Sequence, residues 1–355
     1  MPLTMVALLS AGSLGGCAAD PQPAIPLDPI GPSVLTRRGV SLSGAEFGSA
    51  VPGVFGADYT YPTHAEVDYY VGKGMTIMRI PFRWERVQPT LSGPFDETEL
   101  ARLDDIVSYT LAVGSGVLLD PHNYARYDDV LIGYATVTAA DFADFWGKLA
   151  DHYKDNTKID FGLMNEPHSD DASVAGAQKL RTEDWVAAAN GAIQAIRATG
   201  ALNLITVSGN GWDTASGWND TWYGSPNGNQ LLNIVDPADN FAFEAHQYMD
   251  SDGSGTSGTC VASNTGSTRL TAFTAWLRGN KRHGFLGEFG GGPNETCLAA
   301  IDDMLTHIDT YADVYLGWTW WGAGPWWGPN YIFTVEPNAT TGADQPQMGV
   351  LVQHL

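Results

Sequence analysis

Apolar residues fall along this chain in two alternating rhythms. Short runs at 39–43, 76–81, 116–119, 159–164, 204–208, 241–245, 284–287 and 314–318 are nearly continuous in apolar, β-branched or aromatic residues, as strands covered on both faces should be. Longer segments between them repeat their apolar residues every three or four positions. In 97–113 the residues Leu100, Leu103, Ile106, Val107 and Leu111 share one helical face, and in 141–152 Phe142, Phe145, Trp146 and Leu149 do the same. Thr138 with Asp141 forms an acidic variant of the capping box that opens a helix. Gly72, Gly74, Gly114 and Gly200 stand where a left-handed residue closes a last turn.

Eight such alternations predict an α/β fold, a single-domain (β/α)8 TIM barrel, in which functional residues belong on the loops at the strands' C-terminal ends. Chemically capable residues recur there. Glu46 follows the first strand, 79–83 end the second, and His122-Asn123-Tyr124 follow the third. Asn165-Glu166 follow the fourth, Asn210-Gly211-Trp212 the fifth, His246-Gln247-Tyr248 the sixth, Glu288 the seventh and Trp320-Trp321 the eighth. A doubly wound sheet is the structural alternative, but no glycine-rich phosphate loop follows any strand.

Two of these positions carry the strongest chemical signal. In Leu163-Met164-Asn165-Glu166-Pro167 and Phe285-Leu286-Gly287-Glu288-Phe289-Gly290, a glutamate ends an apolar run and a breaker follows. Two carboxylates facing one cleft is the layout of an acid/base and nucleophile pair for cutting sugar polymers.

Composition narrows the partners. The 355 residues are 44% hydrophobic, enough to bury a large core, and show no internal repeat. The formal charge is −22 and the pI near 4.4, a surface that repels phosphate backbones and anionic headgroups and is compatible with a neutral substrate. Nucleic acid is therefore not an expected partner.

The N-terminus reads as an address. Residues 5–9 form an apolar run too short to span a bilayer, and Leu14-Gly15-Gly16-Cys17 resembles the lipobox of bacterial lipoproteins, in which the cysteine is lipidated. No Lys or Arg precedes that run, a departure from the secretory pattern. The expectation is a signal segment at 1–17 and export, with a lipid anchor at Cys17; the alternative makes Cys17 only a small residue beside an ordinary cleavage site. Pro21, Pro23, Pro26, Pro29 and Pro32 mark 18–33 as an extended tether. The catalytic domain is expected over 34–355. In an oxidising compartment Cys260 and Cys297 form a disulfide, the alternative being two buried free thiols. No Cys/His spacing suggests zinc among the eight scattered histidines.

From about Arg38 onward the sequence resembles a glycoside hydrolase of family 5 (clan A), in its cellulase branch. The resemblance rests on Gly44-Ala45-Glu46-Phe47-Gly48, Met78-Arg79-Ile80-Pro81-Phe82, Asp120-Pro121-His122-Asn123-Tyr124, Asn165-Glu166-Pro167-His168, His246-Gln247-Tyr248, Gly287-Glu288-Phe289-Gly290 and Trp321-Gly322-Ala323-Gly324-Pro325-Trp326-Trp327, in order. It implies a retaining endo-β-1,4-glucanase, with an endo-β-mannanase or a non-catalytic surface polysaccharide-binding lipoprotein as alternatives. Glu288 takes the nucleophile's place, kept ionised by Arg79 and Tyr248. Glu166 takes the acid/base's, its pKa raised by the charge of Glu288. Asn165 matches the partner of the sugar 2-hydroxyl, His122 and His246 the histidines lining the cleavage subsite, and Trp321 its aromatic floor. Trp212 and Trp218 are candidates for neighbouring subsites. Trp320, Trp326 and Trp327 either stack on sugar or pack, and Glu46 either touches the site or anchors its loop. The implied machinery uses no metal or other cofactor. The implied partner is a neutral β-linked polysaccharide, the implied state a monomer.

Overall fold

The computed structural model describes residue 25 and residues 28–355, apart from residue 174. Cys17, the 1–17 segment and Pro21, Pro23 and Pro26 lie outside the described residues. The chain docks on the barrel ahead of the expected start at Val34, since the Ile30 N–H already donates to Asp313 at 2.9 Å.

Eight parallel strands close in chain order. They are β1 (Arg37–Leu42), β2 (Ile77–Phe82), β3 (Gly116–Pro121), β4 (Ile159–Gly162), β5 (Ile205–Ser208), β6 (Phe241–His246), β7 (Gly284–Glu288) and β8 (Tyr315–Ala323). Each is followed by a helix: α1 (His64–Gly72), α2 (Glu97–Ala112), α3 (Ala139–Tyr153), α4 (Thr182–Ala198), the single turn α5 (Asn227–Gln230), α6 (Thr265–Asn280), α7 (Glu295–Thr310) and α8 (Pro346–Leu351). This is the expected barrel. Among the described residues, no helix is long and apolar enough to cross a membrane.

The local signals act as read. On α3, Phe142, Phe145, Trp146 and Leu149 are buried, and Thr138 and Asp141 cap each other reciprocally. On α2, Leu103, Ile106 and Val107 are fully buried while Leu100 and Leu111 sit at the margin of the same face. Gly74, Gly114 and Gly200 adopt φ of +102°, +96° and +89° just past their helices, whereas Gly72, expected to do the same, is still the last residue within α1. Boundaries differ where aromatic residues extend a strand: β8 runs five residues beyond 318 because Thr319, Trp320, Trp321 and Ala323 stay buried, and Ala323 still pairs with Leu42. β4 stops short of Leu163, although the Leu163 N–H still donates to Thr206 at 3.0 Å.

Cys260 and Cys297 are bonded, with Cα atoms 5.1 Å apart, so the free-thiol alternative falls. The bond ties the loop after β6 to the start of α7 across 37 residues, a closure that stabilises by roughly 3 to 4 kcal/mol in the chain-entropy account.

Candidate active site

Arg79, in the interior of β2, is the hub. No part of its side chain meets solvent, so its charge must be paired inside the protein. Its Nη1 donates to Glu288 Oε1 at 2.6 Å and to Ser41 Oγ at 3.1 Å. Its Nη2 donates to Asn165 Oδ1 at 2.7 Å and lies 3.0 Å from Asp120 Oδ2 and 3.6 Å from Glu244 Oε1. Burial disfavours the cation, yet Asp120, Glu288 and Glu244 together outweigh it and hold the proton more firmly than in water.

Glu288 ends β7 with both oxygens occupied, the second accepting from the Tyr248 hydroxyl at 2.7 Å. Burial alone pushes its carboxyl up; His246, Arg79 and His122, with the Tyr248 hydrogen bond, overcome that and hold it down at about 2. Gly287 makes this packing possible: a Cβ there would stand 2.1 Å from Glu244 Oε1.

Glu166 follows β4 in a left-handed conformation, φ +39°, strained for a side-chain-bearing residue. Its carbonyl lies 2.8 Å from His168 Nδ1, and Oε1 lies 2.8 Å from His246 Nδ1. Burial raises its pKa most, and the charge of Glu288 adds to the rise against the pull of His246 and His122. The sequence expectation named only the Glu288 charge; burial is the larger cause.

The two carboxylates face each other. One oxygen of Glu166, one of Glu288 and a nitrogen of His246 all lie within 4.8 Å of one another. Retaining pairs stand about 5 to 5.5 Å apart and inverting pairs about 6.5 to 9.5 Å, so oxygens this close match the retaining arrangement. One carboxyl is held ionised and its neighbour is biased toward the acid form, the division that acid and nucleophile roles require. The same three residues could grip a cation by distance alone, but both Glu288 oxygens already accept hydrogen bonds, and the Arg79 guanidinium supplies the positive charge there.

The remaining expected residues gather around this pair. His122 faces Asp120 through Nδ1 at 2.8 Å and Asn165 Nδ2 through Nε2 at 3.1 Å. Trp321 stacks on the His122 ring with centroids 5.3 Å apart, and its Nε1 donates to the Tyr331 hydroxyl at 3.0 Å. His246 is placed by a register shift that aligns it with Glu288, a local irregularity of the kind that re-aims a side chain.

Other tryptophans divide. Trp212 is 46% exposed, lies flat on His168 at 3.3 Å and lines the cavity holding Glu166, a cavity of about 400 Å³. Trp218 does not reach the cleft, contrary to expectation: it is fully buried among Phe243, Phe273 and Trp276, where it anchors the loop after β5. Trp320 is core as well, its Nε1 donating to the Phe333 carbonyl. Trp326 stacks on Phe47, and Trp327 stacks on Tyr331 and meets Trp321 edge-on, so these two form the rim on the Trp321 side. Glu46 anchors its loop through the Gly44 N–H at 2.6 Å; burial lifts its carboxyl to about 7.

Sequence reading gave no role to Glu244, Asp120 or Asp213. Glu244 lies 3.3 Å from His246 Nε2, and Asp213 Oδ2 lies 4.0 Å from the same atom. Flanked by these groups and by Glu166 and Glu288, the His246 imidazole gains protons far more readily than a free one, although burial opposes it. A signal existed: an acid inside a strand buried on both faces, as Glu244 and Asp120 are, must have a cationic or hydrogen-bonding partner.

Comparison with known proteins identifies the family. The profile of Cellulase (glycosyl hydrolase family 5) matches residues 37–324. Endo-beta-1,4-glucanase B of Aspergillus niger is 42% identical over 307 residues, 86% of each chain. An endo-beta-1,4-glucanase of Xanthomonas axonopodis pv. citri, solved with a triple substitution, superposes with a TM-score of 0.86 at 46% identity, covering 90% of this chain and 99% of that one. Endoglucanase Cel5A of Pseudomonas stutzeri, solved with cellobiose, gives 0.78 at 32% identity, over 90% and 92% of the two chains. The chain belongs to glycosyl hydrolase family 5, the cellulase family.

Proposed function

We infer that this protein is a retaining endo-β-1,4-glucanase. The reading is carried by one observation, the pair Glu166 and Glu288 with oxygens within 4.8 Å, one held ionised and the other pushed toward its acid form. Glu288 attacks the anomeric carbon while Glu166 gives its proton to the departing oxygen, and a covalent glycosyl-enzyme forms. Esterification removes the charge of Glu288, and with it one cause of the raised Glu166 pKa. Glu166 then takes a proton from the incoming water, whose oxygen releases the sugar from Glu288. Asn165 is fixed by Arg79 and His122 and has a second amide hydrogen to offer the 2-hydroxyl, a bond that strengthens as charge develops at the anomeric carbon. Trp321, backed by His122, supplies an apolar face for the ring being cut.

Glucan as substrate is supported by the endoglucanase relatives, since the machinery alone does not separate glucan from mannan. Reducing-end assays are expected to show cleavage of carboxymethylcellulose and lichenan. Strong cleavage of galactomannan with none of carboxymethylcellulose would make the protein a mannanase instead. The disulfide supports an exported enzyme, because such bonds persist in oxidising compartments. Anchoring through Cys17 rests on the sequence pattern.

A further inference from the structure

We propose that the leaving-group side of the cleft continues beyond the cavity holding Glu166 into an outer chamber, where Trp222 stacks a further glucosyl ring of the departing β-1,4-glucan chain. The proposal rests on the assignment of Glu166 as the acid. An acid faces the departing oxygen, so the sugar beyond that oxygen lies on the side Glu166 lines. That side is the cavity of about 400 Å³ with His246 and Tyr248 at its walls. It shares Gly211, Trp212 and Trp222 with a second cavity of about 840 Å³. Both volumes fall in the range that encloses a small organic ligand.

The walls are built rather than incidental. Trp222 is 60% exposed, although a ring of its size normally finds cover. It is nevertheless fixed, meeting Tyr223 edge-on at 4.9 Å. The Tyr223 hydroxyl in turn donates to the carbonyls of Gly217 and Trp218 at 2.9 and 3.0 Å. The buried Trp218 beneath holds this loop to α6 through Phe273 and Trp276. Trp212, at the junction of the two cavities, is braced from behind. His168 underlies it at 3.3 Å, and Arg126 Nη2 holds the His168 carbonyl at 3.1 Å and Asp170 at 2.6 Å. Burial and the neighbouring Arg126 hold the His168 imidazole down at about 4, so it remains neutral above that pH. Hydroxyl and charged groups of Ser169, Asp171, Thr221 and Lys179 line the outer cavity. Apolar ring faces bordered by hydrogen-bonding groups match β-1,4-linked glucose, whose rings present apolar faces and equatorial hydroxyls.

The test compares cellotetraose, cellopentaose and cellohexaose, labelled at the reducing end, with the wild type, Trp222→Ala and Trp222→Phe. Wild-type kcat/KM is expected to rise with chain length. Trp222→Ala is expected to lose about three- to tenfold on cellohexaose, mainly through KM, with shorter labelled leaving fragments, while Trp222→Phe recovers most of the loss. Trp222→Ala that matches the wild type at every length, or that loses the same factor at every length, overturns the outer chamber and leaves the assignment of Glu166 and Glu288 intact. A wild-type enzyme that cleaves none of the three overturns both.

Discussion

Glu288→Ala is expected to abolish turnover of β-1,4-glucan, lowering kcat by a factor on the order of 10^5, with the fold retained. Nothing else in the cleft can replace it. Its neighbours are a guanidinium, a phenol and an imidazole, and Glu166 is committed to proton transfer. The fold survives because Arg79 keeps Asn165, Asp120 and Glu244 as partners, so its buried charge is not left alone. The space left by the side chain admits a small anion. Azide is therefore expected to restore cleavage of dinitrophenyl cellobioside and to give the α-glycosyl azide. Steady-state rates, product analysis and a thermal unfolding midpoint check all three parts, and near-normal activity on glucan in this variant would remove Glu288 from the nucleophile's role.

Glu166→Ala is expected to separate substrates by their leaving groups. On cellulose or carboxymethylcellulose, where the departing sugar hydroxyl needs a proton, the loss should be about 10^2- to 10^4-fold. On dinitrophenyl cellobioside, whose phenolate leaves unprotonated, formation of the intermediate should be nearly preserved and its hydrolysis should become slow. The pH dependence follows from the same side chain. Burial and the Glu288 charge raise the Glu166 pKa, so its proton is present below the raised value, and wild-type kcat/KM falls as pH climbs through it. Glu288, held at about 2, stays ionised through the mildly acidic range. The basic limb should vanish in Glu166→Ala with the activated substrate. Equal losses on both substrates, or an unchanged basic limb, would count against the acid role.

The barrel and its catalytic pair were readable because each is encoded locally. Strands buried on both faces give short apolar runs, and a carboxylate at the end of such a run marks the open face of the barrel. Glu166, Glu288, Arg79, His122, Asn165, His246, Tyr248 and Trp321 all gather in one site for that reason. Loops carry no such periodicity. Trp212, Trp218 and Trp222 share one loop of small and polar residues, yet Trp212 and Trp222 face the cleft while Trp218 fills a gap between β6 and α6. Which tryptophan turns inward depends on space left by Phe243, Phe273 and Trp276, residues distant in sequence. Glu244 was hidden for the opposite reason. It sits within an apolar run, and although His246 stands two residues along the same strand, its need for Arg79 becomes visible only once β2 and β6 are placed across the barrel from each other.

The spacing of Glu166 and Glu288 decides the stereochemistry, and proton NMR of the first-formed product tests it. With cellopentaose or cellohexaose and enough enzyme to outpace mutarotation, the account predicts that the β-anomer of the new reducing end appears first and the α-anomer only later. The α-anomer appearing first would mean inversion by a water activated by one carboxylate, the outcome of more widely spaced pairs than one with oxygens within 4.8 Å of each other, and would contradict the double displacement through Glu288.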